Sequence, residues 1–407
     1  MPMLALDFGT SNSAAALAHP GGIWRVPIDG RDTLPTAVFF PADGGAMRIG
    51  EAAARALAAG DEGRYMRALK SVLGQPLLHE SRLIAGRRRT LAEVVTAFLL
   101  TLREAAERAT GQRFTGVLSG RPVHFHDDPA RDAQAEADLR ACYQAAGFSE
   151  IAFLPEPEAA ALACHQTGHG LGLVVDIGGG TSDFTLFRRD GDRPAILASH
   201  GLRLGGTDFD TAVSLAHAMP LLGLGGQLRR EMGATLLPVP RALYVDLATW
   251  ARIPFLYAPE PRRQAATMAR LAVDPRAMTR LCTVLEDELG HSLAFAVEAA
   301  KIAANETGQG RIDLSGIERG LFAPVSGQAL AATLAGHRAA LRRAALETLA
   351  LAGQPPQAVD EVILVGGSSL MQLVRDEMRA LLPDATHRDA AAFTAVVDGL
   401  AIAAARP

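Results

Sequence analysis

Lysine is almost absent from this chain of 407 residues. Only Lys70 and Lys301 are lysines among its 40 basic residues, and the other 38 are arginines. An ammonium group is a compact point charge on a flexible stem, which a planar guanidinium does not reproduce. Both lysines are therefore candidate site residues, against the alternative that they lie on a solvated surface.

Cysteine is scarce as well, and neither sign of charge dominates. Cys142, Cys164 and Cys282 lie far apart without a CxxC spacing, which excludes a disulfide framework and a thiolate zinc site. The 40 basic and 44 acidic residues give a formal net charge of -4, and no charged tail is present. That balance argues against a dedicated nucleic-acid-binding protein.

Long apolar runs are also missing. The N-terminus lacks a basic region, and Asp7 interrupts its first apolar run, unlike a signal peptide. The apolar stretch 290–305 is broken by Glu298 and Lys301, well short of the roughly 20 residues that span a bilayer. The sequence predicts a cytoplasmic protein without membrane contact, of about two to three domains by length.

A repeated strand-turn-strand pattern is present instead. The apolar run 3–8 leads into the polar turn 9–13 and the apolar segment 14–18. The same pattern recurs at 171–187 around a glycine-rich turn. Two such hairpins in the two halves of one chain predict a duplicated lobe.

The remaining segments complete an α/β pattern. Periodicity predicts helices at 88–111, 129–147, 328–352 and 393–405, and a strand-loop-helix unit at 361–382. Alternation of strands with helices favours an α/β fold. Residues 219–285 differ in texture, with a glycine-rich start and several prolines, and predict an inserted subdomain.

Glycine-rich turns after strands let backbone amides approach phosphate oxygens. The first turn offers Gly9, Thr10 and Ser11, and the second offers the segment 178–181. One such turn is weak evidence. Two turns and a third Gly-Gly-Ser loop at 366–368 together favour a site for the phosphates of a nucleotide.

Three aspartates flank these turns, Asp7, Asp176 and Asp183. Mg²⁺ in proteins prefers a few carboxylates, often through water, together with substrate phosphates. A single aspartate at a hairpin commonly caps the turn. Three in corresponding positions favour a magnesium-nucleotide site.

Several segments resemble a known family. Residues 6–13 (LDFGTSNS), 175–183 (VDIGGGTSD) and 365–369 (VGGSS) resemble the two phosphate segments and the adenosine segment of the actin-like ATPase superfamily. The similarity is greatest to its DnaK-type heat shock protein 70 chaperones, whose connecting segments resemble 154–162 (LPEPEAAAL) and 204–210 (LGGTDFD). The resemblance runs from residue 3 to about residue 405.

Within that branch, shorter segments at 70–74, 120–125 and 219–223 are similar to the short YegD-type proteins. The resemblance therefore implies a chain that consists of the nucleotide-binding domain alone, without a peptide-binding β-sandwich or lid.

The resemblance also implies a fold and a domain plan. The fold is α/β, a two-lobed actin-like ATPase fold of duplicated ribonuclease-H-like lobes, each a mixed sheet flanked by helices. Lobe I is expected at 1–167 with an inserted subdomain at about 36–90. Lobe II is expected at 168–392 with an inserted subdomain at about 211–285, and a C-terminal helix at 393–407 returns to lobe I.

The family's site residues carry over by position. The resemblance implies that Lys70 lies near the γ-phosphate, that Glu156 and Asp176 organise water on Mg²⁺, and that Thr181 lies near the phosphates; these four are the expected catalytic residues. The expected nucleotide-binding residues are Asp7, Gly9, Thr10, Ser11, Asn12, Gly178, Gly179, Gly180, Asp183, Gly205, Gly206, Glu298, Lys301, Asn305, Gly366, Gly367 and Ser368. The implied ligands are ATP or ADP and Mg²⁺, the metal held mostly through water by Asp7, Asp176 and Asp183.

The adenosine side departs from the family pattern. Leu370 replaces an adenine-stacking arginine, Ile302 replaces an arginine of the adenosine helix, and Asn305 replaces a serine. The aspartate of the final segment falls near Phe393. Weakened or altered adenine selectivity is therefore expected.

The function predicted is that of a chaperone-like ATP-binding protein, a slow Mg-dependent ATPase whose lobes open and close with nucleotide state. A protein partner on the 211–285 insert is expected, with Trp250, Phe255, Leu256 and Tyr257 as apolar anchors unless these form an ordinary core. The alternatives are a small-molecule kinase of the same superfamily, which needs an aspartate general base, an actin-like filament-forming protein, and a scaffold that binds nucleotide without turnover.

Overall fold

The computed structural model describes residues 3–19, 21–28, 30–84, 86–164, 169–190, 193–230, 234–389 and 394–405. The chain divides into two compact units. The first unit comprises Met1–Gly206, Ala339–Leu370 and Val374–Pro407, and the second comprises Thr207–Arg338 and Met371–Leu373. The predicted α/β class is confirmed.

Twenty strands lie in the described part of the chain. In chain order they are β1 Met3–Phe8, β2 Asn12–His19, β3 Gly22–Arg25, β4 Leu34–Pro35, β5 Ala37–Pro41, β6 Arg48–Ile49, β7 Gly63–Arg67, β8 Arg82–Ile84, β9 Arg87–Arg89, β10 Gly116–Arg121, β11 Glu150–Pro155, β12 Gly170–Ile177, β13 Ser182–Asp190, β14 Arg193–Leu202, β15 Gln227–Leu228, β16 Leu237–Pro238, β17 Gln309–Asp313, β18 Phe322–Ser326, β19 Glu361–Val365 and β20 Thr386–Asp389.

The α-helices in the same described ranges number thirteen. They are α1 Gly50–Ala58, α2 Leu91–Thr110, α3 Pro129–Ala145, α4 Glu156–Ala163, α5 Gly206–Val213, α6 Ala242–Ala248, α7 Pro259–Leu271, α8 Pro275–Glu286, α9 Gly290–Thr307, α10 Gly327–Thr333, α11 Ala335–Leu351, α12 Gln372–Leu381 and α13 Ala395–Ala404. None of the helices in the described ranges combines the length and apolar character required to span a membrane.

The first unit contains two sheets with the same strand pattern. One sheet has the order β11-β10-β1-β2-β3, with β4 added beside β2, and the other has the order β14-β13-β12-β19-β20. In each, the first strand of a hairpin pairs antiparallel with its partner and parallel with a later strand. In each sheet, the hairpin turn that follows β1 or β12 therefore lies beside the C-terminal end of the parallel neighbouring strand, β10 or β19.

The strand-turn-strand patterns at 3–18 and 171–187 form the hairpins β1-β2 and β12-β13 as predicted. The helix predicted at 88–111 begins only at Leu91, because Thr90 and Glu93 form a capping box there. The single helix predicted at 328–352 is wrong: α10 ends at Thr333, and α11 begins at Ala335.

Two helices of the first unit, α4 and α13, share one apolar core with both sheets. Their closest approach is at Gly399 of α13, where a Cβ would lie 1.7 Å from the carbonyl oxygen of Ala159 in α4. Arg25 of β3 donates to both carboxylate oxygens of Asp398, at 2.8 and 2.7 Å. Gly399 lets α13 pack closely against α4. The ion pair between Asp398 and Arg25 fixes α13 against the first sheet.

The second unit consists of α6 to α10, most of α5 and two short hairpins. Trp250 and Leu256 are buried within it, and Phe255 and Tyr257 are partly buried. Trp250 and Leu256 therefore belong to the core of this unit, which is the alternative that the sequence left open. A protein partner on the insert remains a prediction.

We expect Gly399→Ala to destabilise the chain by about 3 kcal/mol or more, because the added methyl group meets backbone atoms that have no space to retreat. Gly336→Ala is the matched control, since a Cβ at Gly336 meets no atom within 4 Å and alanine favours a helix. Thermal unfolding measures both variants. Equal unfolding temperatures for the two would contradict the close packing of α4 and α13.

Candidate functional site

The two predicted phosphate turns lie directly against each other. A Cβ on Gly179 would be 2.2 Å from the Ser11 hydroxyl oxygen, and one on Gly180 would be 2.9 Å from that of Thr10. Both distances are shorter than an ordinary van der Waals contact, so a side chain at either position would displace a hydroxyl group of the first turn. The hydroxyl groups of the first turn therefore line the backbone of the second.

The Gly205-Gly206 segment joins the same cluster. The backbone N–H of Gly206 donates to the carbonyl of Gly178 at 3.0 Å. A Cβ on Gly205 would be 2.5 Å from the backbone nitrogen of Gly180. The glycine pair of segment 204–210 thus packs against the backbone of the second phosphate turn.

The third glycine loop also reaches this cluster. Gly366 has a φ of +81°, and a Cβ there would lie 2.4 Å from the carbonyl oxygen of Ile177. Ser368, in the 3₁₀ turn Gly367–Leu370, has its hydroxyl oxygen 2.3 Å from where a Cβ on Gly206 would lie. The structure therefore brings together the three glycine-rich loops that the sequence singled out.

Gly9 and Asn12 shape the first turn. A Cβ on Gly9 would be 2.2 Å from the carbonyl oxygen of Asn12, so the turn closes only with glycine at this position. Asn12 begins β2 and is paired with Pro35 in the sheet.

Lys70 lies at the inner side of this cluster, on a short 3₁₀ turn, Leu69–Val72. Its ammonium donates to the Glu156 carboxylate at 2.5 Å, and its side chain is only 6% exposed. Burial alone would lower the pKa of Lys70, but Glu156 and Asp7 outweigh it and hold that pKa above its ordinary value. Lys70 is therefore a fixed cation at neutral pH.

The backbone around Lys70 is held under constraint. Ala68, just before the turn, has a φ of +60°, a left-handed conformation uncommon for a residue with a side chain. Asp138 accepts from the Gly74 backbone N–H at 2.9 Å and contacts His79 Nε2 at 3.0 Å. These bonds fix the chain that directly follows the turn presenting the lysine.

Lys70 interacts electrostatically with four carboxyl groups, those of Glu156, Asp7, Asp176 and Asp183. Burial and the Glu156 charge raise the pKa of Asp7 to about 7, although part of that side chain is accessible. The same two causes raise the pKa of Asp183 to about 8 and that of Asp176 well above its ordinary value. One lysine does not neutralise this cluster, which therefore favours protons or a bound cation.

The strand register explains why two of these groups are close. Asp176 and Asp183 are direct cross-strand partners in the β12-β13 hairpin, and side chains of such partners share one face. Asp183 is further held by the backbone N–H of Val123, which donates to it at 2.8 Å.

Asp7, Asp176 and Asp183 fit a Mg²⁺ ion that is held largely through water molecules rather than by direct protein ligands alone. Hard carboxylate oxygens are suitable donors, and Mg²⁺ usually retains several waters and substrate phosphates. Within the described ranges, no three acidic, histidine or cysteine side chains are arranged to hold a metal directly. The role of Asp7, Asp176 and Asp183 as metal-site residues remains a prediction.

The pocket beside Lys70 contains residues that sequence reasoning missed. It is lined by Thr10, Lys70, Ser71, Leu73, Pro122, Phe125, His126, Gly180, Thr181 and Arg203. Arg203 immediately precedes the recognised segment 204–210, and that position was its one sequence signal. The chain has 38 arginines, so residue type alone does not distinguish Arg203 from the others.

Three of the residues expected on the adenosine side lie in the second unit, on α9, whereas the adenosine segment 365–369 lies in the first. Glu298, Lys301 and Asn305 follow helical spacing along one face. The Lys301 ammonium is buried and lies 2.6 Å from Asp210, which also accepts from the indole N–H of Trp250 at 3.2 Å. Lys301 thus has a structural partner within its own unit.

Asn305 is also engaged locally, since its side-chain oxygen accepts from the Gln372 backbone N–H at 2.6 Å. Leu370 is 37% exposed, and Ile302 is 44% exposed. Both apolar replacements therefore present surface to solvent in their respective units. Phe393 lies outside the described residues.

Comparison with known families decides the identity of this arrangement. The Hsp70 protein family matches residues 3–219, which is more than half of the chain. The chain belongs to the Hsp70 family. The Hsp70 match includes every predicted phosphate-side residue from Asp7 to Gly206 and ends before the adenosine helix.

Two curated relatives of this Hsp70 protein carry the name Chaperone protein HscA homolog. The relative from Pseudomonas fluorescens (strain SBW25) is 32% identical over 234 residues, which is 52% of this chain and 36% of the relative. The relative from Azoarcus sp. (strain BH72) is 32% identical over 227 residues, 51% of this chain and 35% of the relative. The alignments thus span about a third of the length of each relative.

We expect the stability of the nucleotide-free Hsp70 chain to fall as the pH rises from about 5 to about 8. A carboxyl with a raised pKa stabilises the folded state when protonated, and this contribution is lost as the pH passes through the folded-state pKa. Asp7→Asn removes one such group, so its unfolding temperature relative to wild type should rise by at least about 2 °C over this range. The exposed Asp384→Asn is the control, and parallel profiles for wild type and Asp7→Asn would refute the electrostatic description.

Proposed function

We propose that this chain binds Mg-ATP and hydrolyses it slowly, with a conformational change as its output. The proposal depends above all on one observation: the buried Lys70–Glu156 pair lies beside two interlocked glycine-rich turns. Membership of the Hsp70 family supports nucleotide binding. The similarity to short YegD-type proteins remains a prediction within this proposal.

The chain's own groups account for the binding of the phosphates. Exposed backbone N–H groups at glycine turns bind phosphate oxygens without a side chain in the way. The hydroxyl groups of Thr10 and Thr181, both at the pocket, add further donors. When bound, Mg²⁺ would neutralise negative charge on the phosphate oxygens.

Lys70 is positioned to stabilise the reaction. An ammonium has three N–H donors, and the Glu156 carboxylate takes one of them. The direction of the others is fixed by this pair, so Lys70 can donate to the terminal phosphate as its negative charge develops. Glu156 accordingly acts in two ways, as the group that orients Lys70 and as an acceptor for the attacking water.

The alternative of phosphoryl transfer to a small molecule makes a different demand on the site. A kinase of this superfamily would need an aspartate base beside its acceptor hydroxyl. Among the described residues that line the Lys70 pocket, none is aspartate or glutamate. A filament-forming protein remains the structural alternative, and a rise in light scattering on addition of ATP would favour it.

We expect Lys70→Ala to slow single-turnover release of phosphate from Mg-ATP by about 100- to 1,000-fold, because it removes a charge that acts in the transition state. Arg88→Ala, at an exposed position on β9, should leave the rate unchanged. Since Lys70→Ala leaves Glu156 unpaired, a Lys70→Ala, Glu156→Gln double variant removes both charges and should be equally slow. Absence of phosphate release from wild type would refute the ATPase proposal.

We also expect weak selection of adenine. Arginine stacks on a base through its planar guanidinium, whereas the side chains at 302 and 370 are aliphatic. The affinities for ATP and GTP should therefore lie within about tenfold of each other, and Leu370→Arg should raise the preference for ATP. Competitive binding of the two nucleotides measures the ratio, and strong adenine selectivity in wild type would contradict this expectation.

A further inference from the structure

A second basic side chain lines the pocket that contains Lys70. Arg203 follows directly after β14 and is exposed, at the rim of the pocket, whereas Lys70 is buried at its base. Thr10, Gly180 and Thr181 of the two phosphate turns line the same pocket. Two cations and the hydroxyl groups of the phosphate turns therefore border one space, together with the apolar side chains of Leu73, Pro122 and Phe125.

Acceptors on neighbouring segments orient the Arg203 guanidinium. It donates to the backbone carbonyl of Ser71 at 3.1 Å and to His126 Nδ1 at 3.3 Å. The other ring nitrogen of His126 is 2.8 Å from the Leu73 carbonyl, to which it can only donate. This arrangement assigns His126 as the neutral tautomer with its Nδ1 free of a proton, the form that accepts from arginine.

The same contacts connect Arg203 to the lysine. Ser71 directly follows Lys70 in the 3₁₀ turn, and Leu73 directly follows that turn. Arg203 and His126 therefore hold the segment that presents Lys70, and the two cations have a fixed relation to each other.

We propose that Arg203 is a second cationic contact for the terminal phosphate of the bound nucleotide, opposite Lys70. The proposal rests on the function proposed above and deepens it. A guanidinium has five N–H donors and serves several acceptors at once, so its bonds to Ser71 and His126 are compatible with a phosphate contact. Its planar donor pattern suits phosphate oxygens.

The consequence is discrimination between nucleotide states. A contact to the terminal phosphate strengthens binding of a triphosphate and has no counterpart in a diphosphate. Arg203 therefore contributes to the preference for ATP over ADP.

The test compares binding of Mg-ADP with that of a non-hydrolysable, imido-bridged ATP analogue with Mg²⁺, by calorimetry. Arg203→Ala should weaken binding of the analogue by about tenfold and leave binding of ADP unchanged. Arg203→Lys should recover part of the loss, because lysine restores the charge but not the planar donor set. Arg188→Ala, at an exposed position of β13, should behave as wild type.

Retained ADP affinity shows that each variant is folded, so the outcomes are distinct. Equal ratios of analogue to ADP affinity in wild type and Arg203→Ala would overturn the role of Arg203 while the proposed ATPase function stands. An equal loss for both ligands would overturn it as well, since the contact is specific to the terminal phosphate. Failure of wild type to bind either nucleotide would overturn both proposals.

Discussion

The buried Lys70–Glu156 ion pair is the interaction on which the rest of the candidate site depends. Burial and the Glu156 charge raise the pKa values of Asp7, Asp176 and Asp183. The positive charge of Lys70 offsets part of that rise for all three carboxyl groups. Removing one partner of a buried pair leaves an uncompensated charge in a region of low dielectric constant. The left-handed backbone at Ala68 lies directly before the turn that presents this ammonium.

Close backbone packing is the second constraint. Glycines 179, 180, 205, 206 and 366 lie where a Cβ would come within 3 Å of another atom. These contacts join loops from distant parts of the sequence into one surface of backbone groups. The same principle operates away from the site at Gly399, where two helices approach each other directly.

Much of the fold was predictable, because local patterns determine it, and the hairpins follow from apolar alternation and turn residues. Scarcity singled out Lys70 and Lys301 alike. The expected place of Lys70 near the γ-phosphate came from the family resemblance, and the roles of the phosphate-side residues remain predictions. The rest depends on long-range contacts. Arg203 acquires significance only through His126 and Ser71, and the burial of Lys301 follows from its pairing with Asp210. The break between α10 and α11 was missed because alanine-rich sequence conceals a helix end.

The matching strand patterns of the two sheets have an evolutionary consequence. Both hairpin turns carry a Gly-Thr-Ser segment, at 9–11 and at 180–182, but the second turn has two further glycines before it, Gly178 and Gly179. A Cβ on Gly179 would come within 3 Å of the Ser11 hydroxyl oxygen of the first turn. The two turns therefore constrain each other, and among homologous sequences we expect positions 11 and 179 to change together.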